Sequence, residues 1–337
     1  MKTGILLVNL GTPNSTSVKD VRLFLREFLM DPLVVDLPLL VRWVLVNLII
    51  VPFRGPKSAI EYRKLWTEDG MPLKVHSEAL TRKIKEKFQG EFEVELGMRY
   101  QNPDIRSALE KLREKGCEQL LLLPLFPQYA EATTLSVLNK IKEDLEKMNW
   151  QVKTKAIQTF ATNEGFINAL VDRANSINVD SIEHRVFSYH GLPERQLEKI
   201  NSGCLKDNCC AEITELNNNC YRAQCFATSR VLAEKLQLTE QQYSVCFQSR
   251  LGKTPWIRPY VDDVISNLAK NGVQKIMVFS PAFVADCLET TIEIGHTYRD
   301  LFKSLGGEEL YLVPGLNSSS IWVEALAKMI IKEIANG

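Results

Sequence analysis

The sequence lacks an excess of charge of either sign: Lys plus Arg and Asp plus Glu each number 41, for a formal net charge of zero. A nucleic-acid partner, which demands a clustered basic surface, is disfavoured by that balance, and a small molecule or a lipid surface suits it better. Clean hydrophobic runs are also missing. The most apolar stretch, LPLLVRWVLVNLIIVPF over 37–53, is broken by Pro38, Arg42 and Asn47, short of the roughly 20 uninterrupted apolar residues of a spanning helix. Two readings of it stay open, a buried core helix or an exposed apolar lip touching membrane or an oily ligand. The opening MKTGILLVNLGTP has one lysine, an apolar run broken at Asn9 and no small-residue cleavage pattern. It reads as a buried strand rather than a signal peptide, and the expected location is cytoplasmic. Histidine is scarce, at four.

What is present is an alternation of short apolar runs with amphipathic stretches, the pattern of a parallel sheet with crossover helices. Strands are expected over 4–10, 92–97, 119–125, 185–189, 243–247, 275–279 and 310–313. Helices are expected over 18–29, 77–88, 104–115, 134–147, 164–175, 227–236, 261–270 and 319–335. A weak internal repeat aligns Leu112, Gly116, Leu120 and Thr134 with Leu268, Gly272, Ile276 and Thr290. Each copy reads as helix, glycine stop, strand and proline-bearing turn. The expected fold is therefore α/β, with two similar doubly wound, Rossmann-like halves over 1–150 and 151–337 and a cleft between them. Ligands of such sheets sit beyond the carboxyl ends of the strands.

Two strand ends carry chemistry. After the strand over 185–189 comes His190, then Gly191-Leu192-Pro193, whose turn residues place the imidazole at the sheet's carboxyl edge. There it is either a metal ligand or proton acceptor, or a histidine hydrogen-bonded within its turn. After the strand over 275–279, Asp286, Glu289 and Glu293 recur at helical spacing. They form either a solvated face or, flanked by Phe283 and Leu288, a carboxylate path for metal delivery or proton removal. His76, His184 and His296 have less informative settings and are expected to be structural or surface residues.

The strings VFSYHGLPER, FQSRLGKTPWIRPYVDD and SPAFVADCLETTIEI closely resemble ferrochelatases, especially the bacterial, chelatase-fold type. GILLVNLGTPNS, VRLFLREFLMDP, LGMRYQNPDI and LPLFPQYAEATT do the same, in family order from Gly4 to about Leu316. The resemblance implies insertion of Fe²⁺ into protoporphyrin IX, with release of two protons, to make protohaem in the terminal step of haem biosynthesis. It implies a porphyrin cleft with His190 on one side and Glu289 across from it, both catalytic and both near the substrate iron. Glu293 and Asp286 would continue an acidic track. Phe283, Trp256, Arg99, Tyr100 and Tyr129 would line or shape the porphyrin pocket, and Arg54 and Tyr62 would hold propionates. Met71 replaces a propionate-binding serine of many relatives, and Thr297 stands where some extend the acidic series. The partners implied are porphyrin and ferrous iron, with the lip over 37–53 as a peripheral membrane contact. The alternative is a coproporphyrin or other tetrapyrrole chelatase, and from a different class a non-catalytic haem- or iron-binding redox sensor.

Eight cysteines in a cytoplasmic chain do not predict a disulfide framework. Five of them, Cys204, Cys209, Cys210, Cys220 and Cys225, crowd into an insertion over about 201–225. Thiols at this density point to zinc or an iron–sulfur cluster, with free thiols as the remaining reading. Because some ferrochelatases carry a [2Fe–2S] cluster, the resemblance favours that cofactor, with Cys204, Cys210, Cys220 and Cys225 as ligands and Cys209 competing with Cys210. Cys117, Cys246 and Cys287 are expected in the core.

Overall fold

A computed structural model describes residues 1–177, 179, 181–200, 204–205, 208–252 and 254–336. Residues 201–203 and 206–207 of the expected cysteine-rich insertion, and the terminal residue 337, lie outside the described residues. The chain divides into two units. One comprises residues 1–126, 130–158 and 326–337, the other residues 127–129 and 159–325. The division therefore falls later than residue 150, and the chain's final segment belongs with the first unit.

Each unit is built on a four-stranded parallel sheet. In the first unit β1 (Thr3–Gly11), β2 (Glu93–Tyr100), β3 (Gln119–Pro124) and β4 (Lys153–Ala156) are ordered β2-β1-β3-β4. In the second, β5 (His184–His190), β6 (Tyr243–Gln248), β7 (Lys275–Phe279) and β8 (Glu309–Leu312) are ordered β6-β5-β7-β8. The central strands are buried on both faces, which is why they read as continuous apolar runs rather than alternating ones. Leu6, Val8, Leu120 and Leu122 pack against Ile105, Leu109, Leu112 and Ile141 in the first unit. Val186, Val278 and Leu310 pack against Ile265, Ile294 and Phe302 in the second. Each such side chain contributes about 1.5–3 kcal/mol. Helix starts follow local chemistry: Ser17 accepts from the Asp20 amide, Asp104 from Ser107 and Asn163 from Phe166.

β4, KTKA, was not expected. Its apolar signal is nearly absent because it is a short edge strand with exposed lysines, a composition that discourages further strand pairing.

The two sheets share one topology, and their registers extend the repeat. Gly4 pairs with Leu120 as His184 pairs with Ile276, so the alignment of Leu120 with Ile276 also aligns Gly11-Thr12-Pro13 with Gly191-Leu192-Pro193. Leu10 then occupies the position of His190, and Thr133 and Val137 those of Glu289 and Glu293. The first unit keeps the turn but carries none of the three ionisable groups at these positions. Gly11 has φ 106°, and a Cβ there would lie 1.9 Å from the Tyr100 carbonyl oxygen, so only glycine fits.

The stretch over 37–53 is helical but is not a core helix. Leu39–Val44, a π-helical Leu45–Ile50 and Val51–Leu65 run on from one another, and Leu40 is 80% and Phe53 72% exposed. Arg42 does not interrupt the apolar face, because its side chain is buried and donates to the Val35 and Leu37 carbonyls. The continuous run Leu39–Leu65 is long and apolar enough to cross a membrane by length and composition alone.

Candidate active site

His190 is the last residue of β5, paired with Gln248 at the end of β6. The next amide, Gly191 N–H, donates to the Gln248 carbonyl at 2.8 Å. A Cβ on Gly191 would lie 2.8 Å from that oxygen and 3.2 Å from the Trp256 ring, so glycine is what lets Trp256 close over the turn. His190 Nδ1 sits 2.6 Å from the Gly191 carbonyl oxygen. A carbonyl only accepts, so Nδ1 carries a proton, and in the neutral ring Nε2 is the nitrogen that presents a lone pair. The ring stands edge-on to Phe283, 6.4 Å between centroids, and the His190 carbonyl accepts from the Tyr221 hydroxyl at 2.9 Å. The other settled histidine is structural: His184 is buried against Ser244.

The carboxylates sit on a π-helix, Leu288–Tyr298, the wide-turned geometry that concentrates at functional sites. Glu293 is held by two donors, Ser249 Oγ at 2.6 Å and Gln248 Nε2 at 3.1 Å. The same Gln248 amide reaches the Glu289 carbonyl at 2.9 Å and accepts from Ser188 through its oxygen. One amide thus ties the carboxylate helix to the strand end that bears His190. Neither Gln248 nor Ser249 was singled out from sequence. Their signal was the string FQSR at a strand's carboxyl end.

Burial pushes the Glu293 carboxyl above its ordinary value, an effect opposed by the Ser249 and Gln248 hydrogen bonds and the His190 charge and reinforced by Glu289. In the unfolded chain the group titrates near 4.5. Between that pH and the raised folded value, the fold binds the proton that the unfolded chain has lost. Stability therefore falls as pH rises through the window and stays lower above it. Glu293→Gln keeps an acceptor for both donors and removes the charge. It should melt about 2–4 °C above the native chain at neutral pH, with the gap closing below the unfolded value. An equal gap at acid and neutral pH in calorimetry would refute the assignment.

Asp286 is not part of an acidic track. It precedes the helix, and its oxygens accept from the Gly315 amide at 2.9 Å and the Asn317 amide group at 2.7 Å, so it braces a loop. The expectation of three carboxylates on one face assumed an α-helix running through residue 286, whereas the helix starts at Leu288 and is π-wound.

In the first unit, Arg99 and Tyr100 occupy the strand positions that Gln248 and Ser249 hold in the second, and they too grip a carboxylate. Arg99 Nη2 lies 2.6 Å and Tyr100 Oη 2.9 Å from buried Asp31, which Ser136 also contacts. Tyr100 is 0% exposed. That corrects its place among direct porphyrin contacts, because its phenol positions Asp31 and Arg99 and leaves no surface for a ligand. Arg54 is exposed and Tyr62 half-buried on the helix Val51–Leu65, and Tyr129 and Trp256 are half-buried in the second unit. Met71 is buried ahead of the helix Pro72–Phe88, while Thr297 is exposed.

Of the five clustered cysteines, four come together. Cys204 Sγ lies 4.0 Å from Cys220 Sγ and Cys209 Sγ 3.6 Å from Cys210 Sγ. The neighbouring Cys220 thiol raises the Cys210 thiol, with burial adding to it, and Cys210 in turn lowers Cys220. Cys225 has no exposed surface and lies instead against Tyr189 and Tyr221. The structure thus groups Cys209 with Cys210 and leaves out Cys225, which differs from the set of Cys204, Cys210, Cys220 and Cys225 favoured by the resemblance. Among the described residues no three His, Cys, Asp or Glu side chains are placed to hold one metal ion. Cys117, Cys246 and Cys287 are buried.

A family model described as Ferrochelatase matches residues 2–334. A ferrochelatase of Coxiella burnetii (strain CbuK_Q154) is 47% identical over 339 residues, 99% of this chain and 94% of the relative. One from Legionella pneumophila (strain Philadelphia 1) is 44% identical over 330 residues, covering 98% and 99%. Among solved structures, SirB from Bacillus subtilis with Fe3+ is 14% identical with TM-score 0.60, covering 100% of this chain and 97% of its own, a likeness of fold. With the family model matching residues 2–334 and 44–47% identity to these relatives over nearly its whole length, the chain belongs to the ferrochelatase family.

Proposed function

We propose that the protein inserts Fe²⁺ into protoporphyrin IX, releasing two protons and forming protohaem, the terminal step of haem biosynthesis. The observation that carries this reading is His190, whose Nδ1 is engaged by the Gly191 carbonyl so that Nε2 is the nitrogen left for a proton or metal, on the strand end that Gln248 ties to the π-helix carrying Glu289 and Glu293. Metalation must strip two pyrrole protons while iron exchanges its ligands for four ring nitrogens. A flat ring keeps its lone pairs in plane, so tighter binding of a distorted ring, with a base in place, lowers the barrier. His190 Nε2 accepts a proton in this scheme. Glu289 and Glu293 form the acidic track, and the raised affinity of Glu293 for a proton suits a relay. Glu289→Gln should then cost more activity than Glu293→Gln, which removes the deeper, hydrogen-bonded group.

In the second unit, Tyr129, Trp256 and Phe283 offer ring faces and edges to a largely apolar macrocycle. In the first, Arg54 and Tyr62 are the proposed propionate partners, with Arg99 held ready by Asp31. The exposed apolar face of Leu39–Leu65 favours an oily two-propionate porphyrin and a peripheral contact with a membrane. Anaerobic Fe²⁺ insertion compared across protoporphyrin and coproporphyrin tests the first point, with kcat/KM expected to be higher for protoporphyrin. The reverse order would make this a coproporphyrin enzyme. Co-sedimentation with phospholipid vesicles tests the second. The double change Leu40→Glu and Phe53→Glu should reduce binding at least about tenfold, since each exposed side chain contributes on the order of 1.5–3 kcal/mol when buried. Unchanged binding would remove the membrane contact.

The cysteine pairs support a [2Fe–2S] centre on Cys204, Cys220, Cys209 and Cys210. Two thiolates on one tetrahedral metal at about 2.3 Å stand about 3.8 Å apart, and the observed separations of 3.6 and 4.0 Å bracket that value. A mononuclear zinc site needs three or four donors around one point. A binuclear cluster needs only two per metal, the rest being bridging sulfide. When bound, the cluster supplies a redox-responsive cross-link of the loop.

A further inference from the structure

The cysteine-rich segment and the catalytic histidine are neighbours in a way that neither family membership nor metal ligation requires. The helix Tyr221–Lys235 has Cys220 as its N-cap residue. The residue immediately after that thiol, Tyr221, turns inward and donates its hydroxyl to the His190 carbonyl at 2.9 Å. Two turns further along, Ser229 Oγ lies 2.8 Å from the hydroxyl of Tyr189, the residue before His190. Both last residues of β5 are thus tied to one helix. Cys220 is in turn the thiol that contacts both Cys204 and Cys210.

We propose that Tyr221 is a positioning residue that holds the His190 peptide, and that through it the state of the Cys204–Cys210–Cys220 thiols sets the rate of metal insertion. The His190 carbonyl lies in the peptide plane that starts at the Cα bearing the ring and leads into Gly191, whose own carbonyl holds Nδ1, so a shift of that plane re-aims Nε2. Only the imidazole's direction is at stake, since Tyr221 touches no reacting atom. Cys225, buried against Tyr189 and Tyr221, packs the same junction.

The coupling half rests on the reading of the thiols as a metal centre, while the positioning half does not. Tyr221→Phe removes one hydroxyl and keeps the ring. It should lower kcat for Fe²⁺ insertion about tenfold, equivalent to about 1.4 kcal/mol, with KM for porphyrin within about twofold. A merely structural tyrosine would lower the melting temperature and leave kcat alone, and a folded Y221F protein with native kcat overturns the proposal. Cys204→Ser disturbs the thiol group without touching Tyr221. It should lower kcat in the native background and have little further effect in the Y221F background, because both changes act through one contact. Losses that multiply would overturn the coupling and leave the positioning. If the purified protein holds no metal at its cysteines, the cluster reading fails, yet the Y221F comparison still decides the positioning.

Discussion

His190→Ala should reduce kcat for metal insertion about 10²–10⁴-fold, the span expected when a positioned proton acceptor is lost, while the protein remains folded. The geometry separates the two effects. The imidazole is half-buried at a strand end, and its hydrogen bond goes to the adjacent Gly191 carbonyl rather than into the core. Truncation leaves that one acceptor to water, a cost of about 1 kcal/mol. The backbone contacts that build the turn, Gly191 N–H to Gln248 and Tyr221 to the His190 carbonyl, do not involve the ring. The loss should therefore appear in turnover and not in the unfolding transition. His190→Gln, which keeps a polar group of similar reach but no proton acceptor of comparable basicity, should be nearly as inactive. A folded H190A protein turning over at the native rate would remove His190 from the reaction. A variant that fails to fold would show that the ring supports the turn, and H190Q would then decide between the two roles.

Legibility in the sequence followed burial. Seven of the eight strands were read within three residues at either end, because parallel strands with both faces covered are continuous apolar runs bounded by turn residues. The eighth, β4, has no such run, being an exposed edge. His190 was placed by the Gly-Leu-Pro turn that follows it, a local signal. Gln248 and Ser249 were not placed, since their importance arises only where the β6 end meets a helix some 40 residues further on, a tertiary contact with no periodicity to reveal it. The carboxylate spacing misleads for a related reason: it has an α-helical period through Asp286, whereas that residue lies outside a π-wound helix. Tyr100 was misplaced because a ring beside a ligand and a ring supporting an arginine from behind leave the same trace in a sequence. Burial alone tells them apart.

The purified protein, prepared without oxygen, should be red-brown and contain roughly two irons and two acid-labile sulfides per chain. Replacing Cys204, Cys209, Cys210 or Cys220 with Ser should each bleach it, whereas Cys225→Ser should leave the colour. The contrast between Cys209 and Cys225 carries the argument. Spacing along the chain makes Cys225 an attractive ligand, with four residues between it and Cys220. In the fold those residues have already entered a helix, and the Cys225 thiol points into the junction of Tyr189 and Tyr221 instead. Cys209, next to Cys210, has its sulfur 3.6 Å away and so completes the second pair. Charge fits as well. Arg222 Nη1 donates to Cys210 Sγ at 3.2 Å while its guanidinium stacks over Phe226, and Arg222, Arg230 and Arg258 line one cavity of about 410 Å³ with Cys210 in its wall. Guanidinium groups gathered beside thiols favour their ionised, metal-binding form and so oppose the burial that raises Cys210. Arg222→Gln should therefore weaken the centre without abolishing it, lowering its reduction potential through loss of a hydrogen bond to sulfur. Because thiolate ligation couples metal binding to local folding, loss of the cluster should also make the loop preceding Cys220 sensitive to protease. Stoichiometric zinc with no sulfide would show that the four thiols gather around a single ion, and bleaching by C225S but not C209S would return the ligand set to the one that spacing suggested.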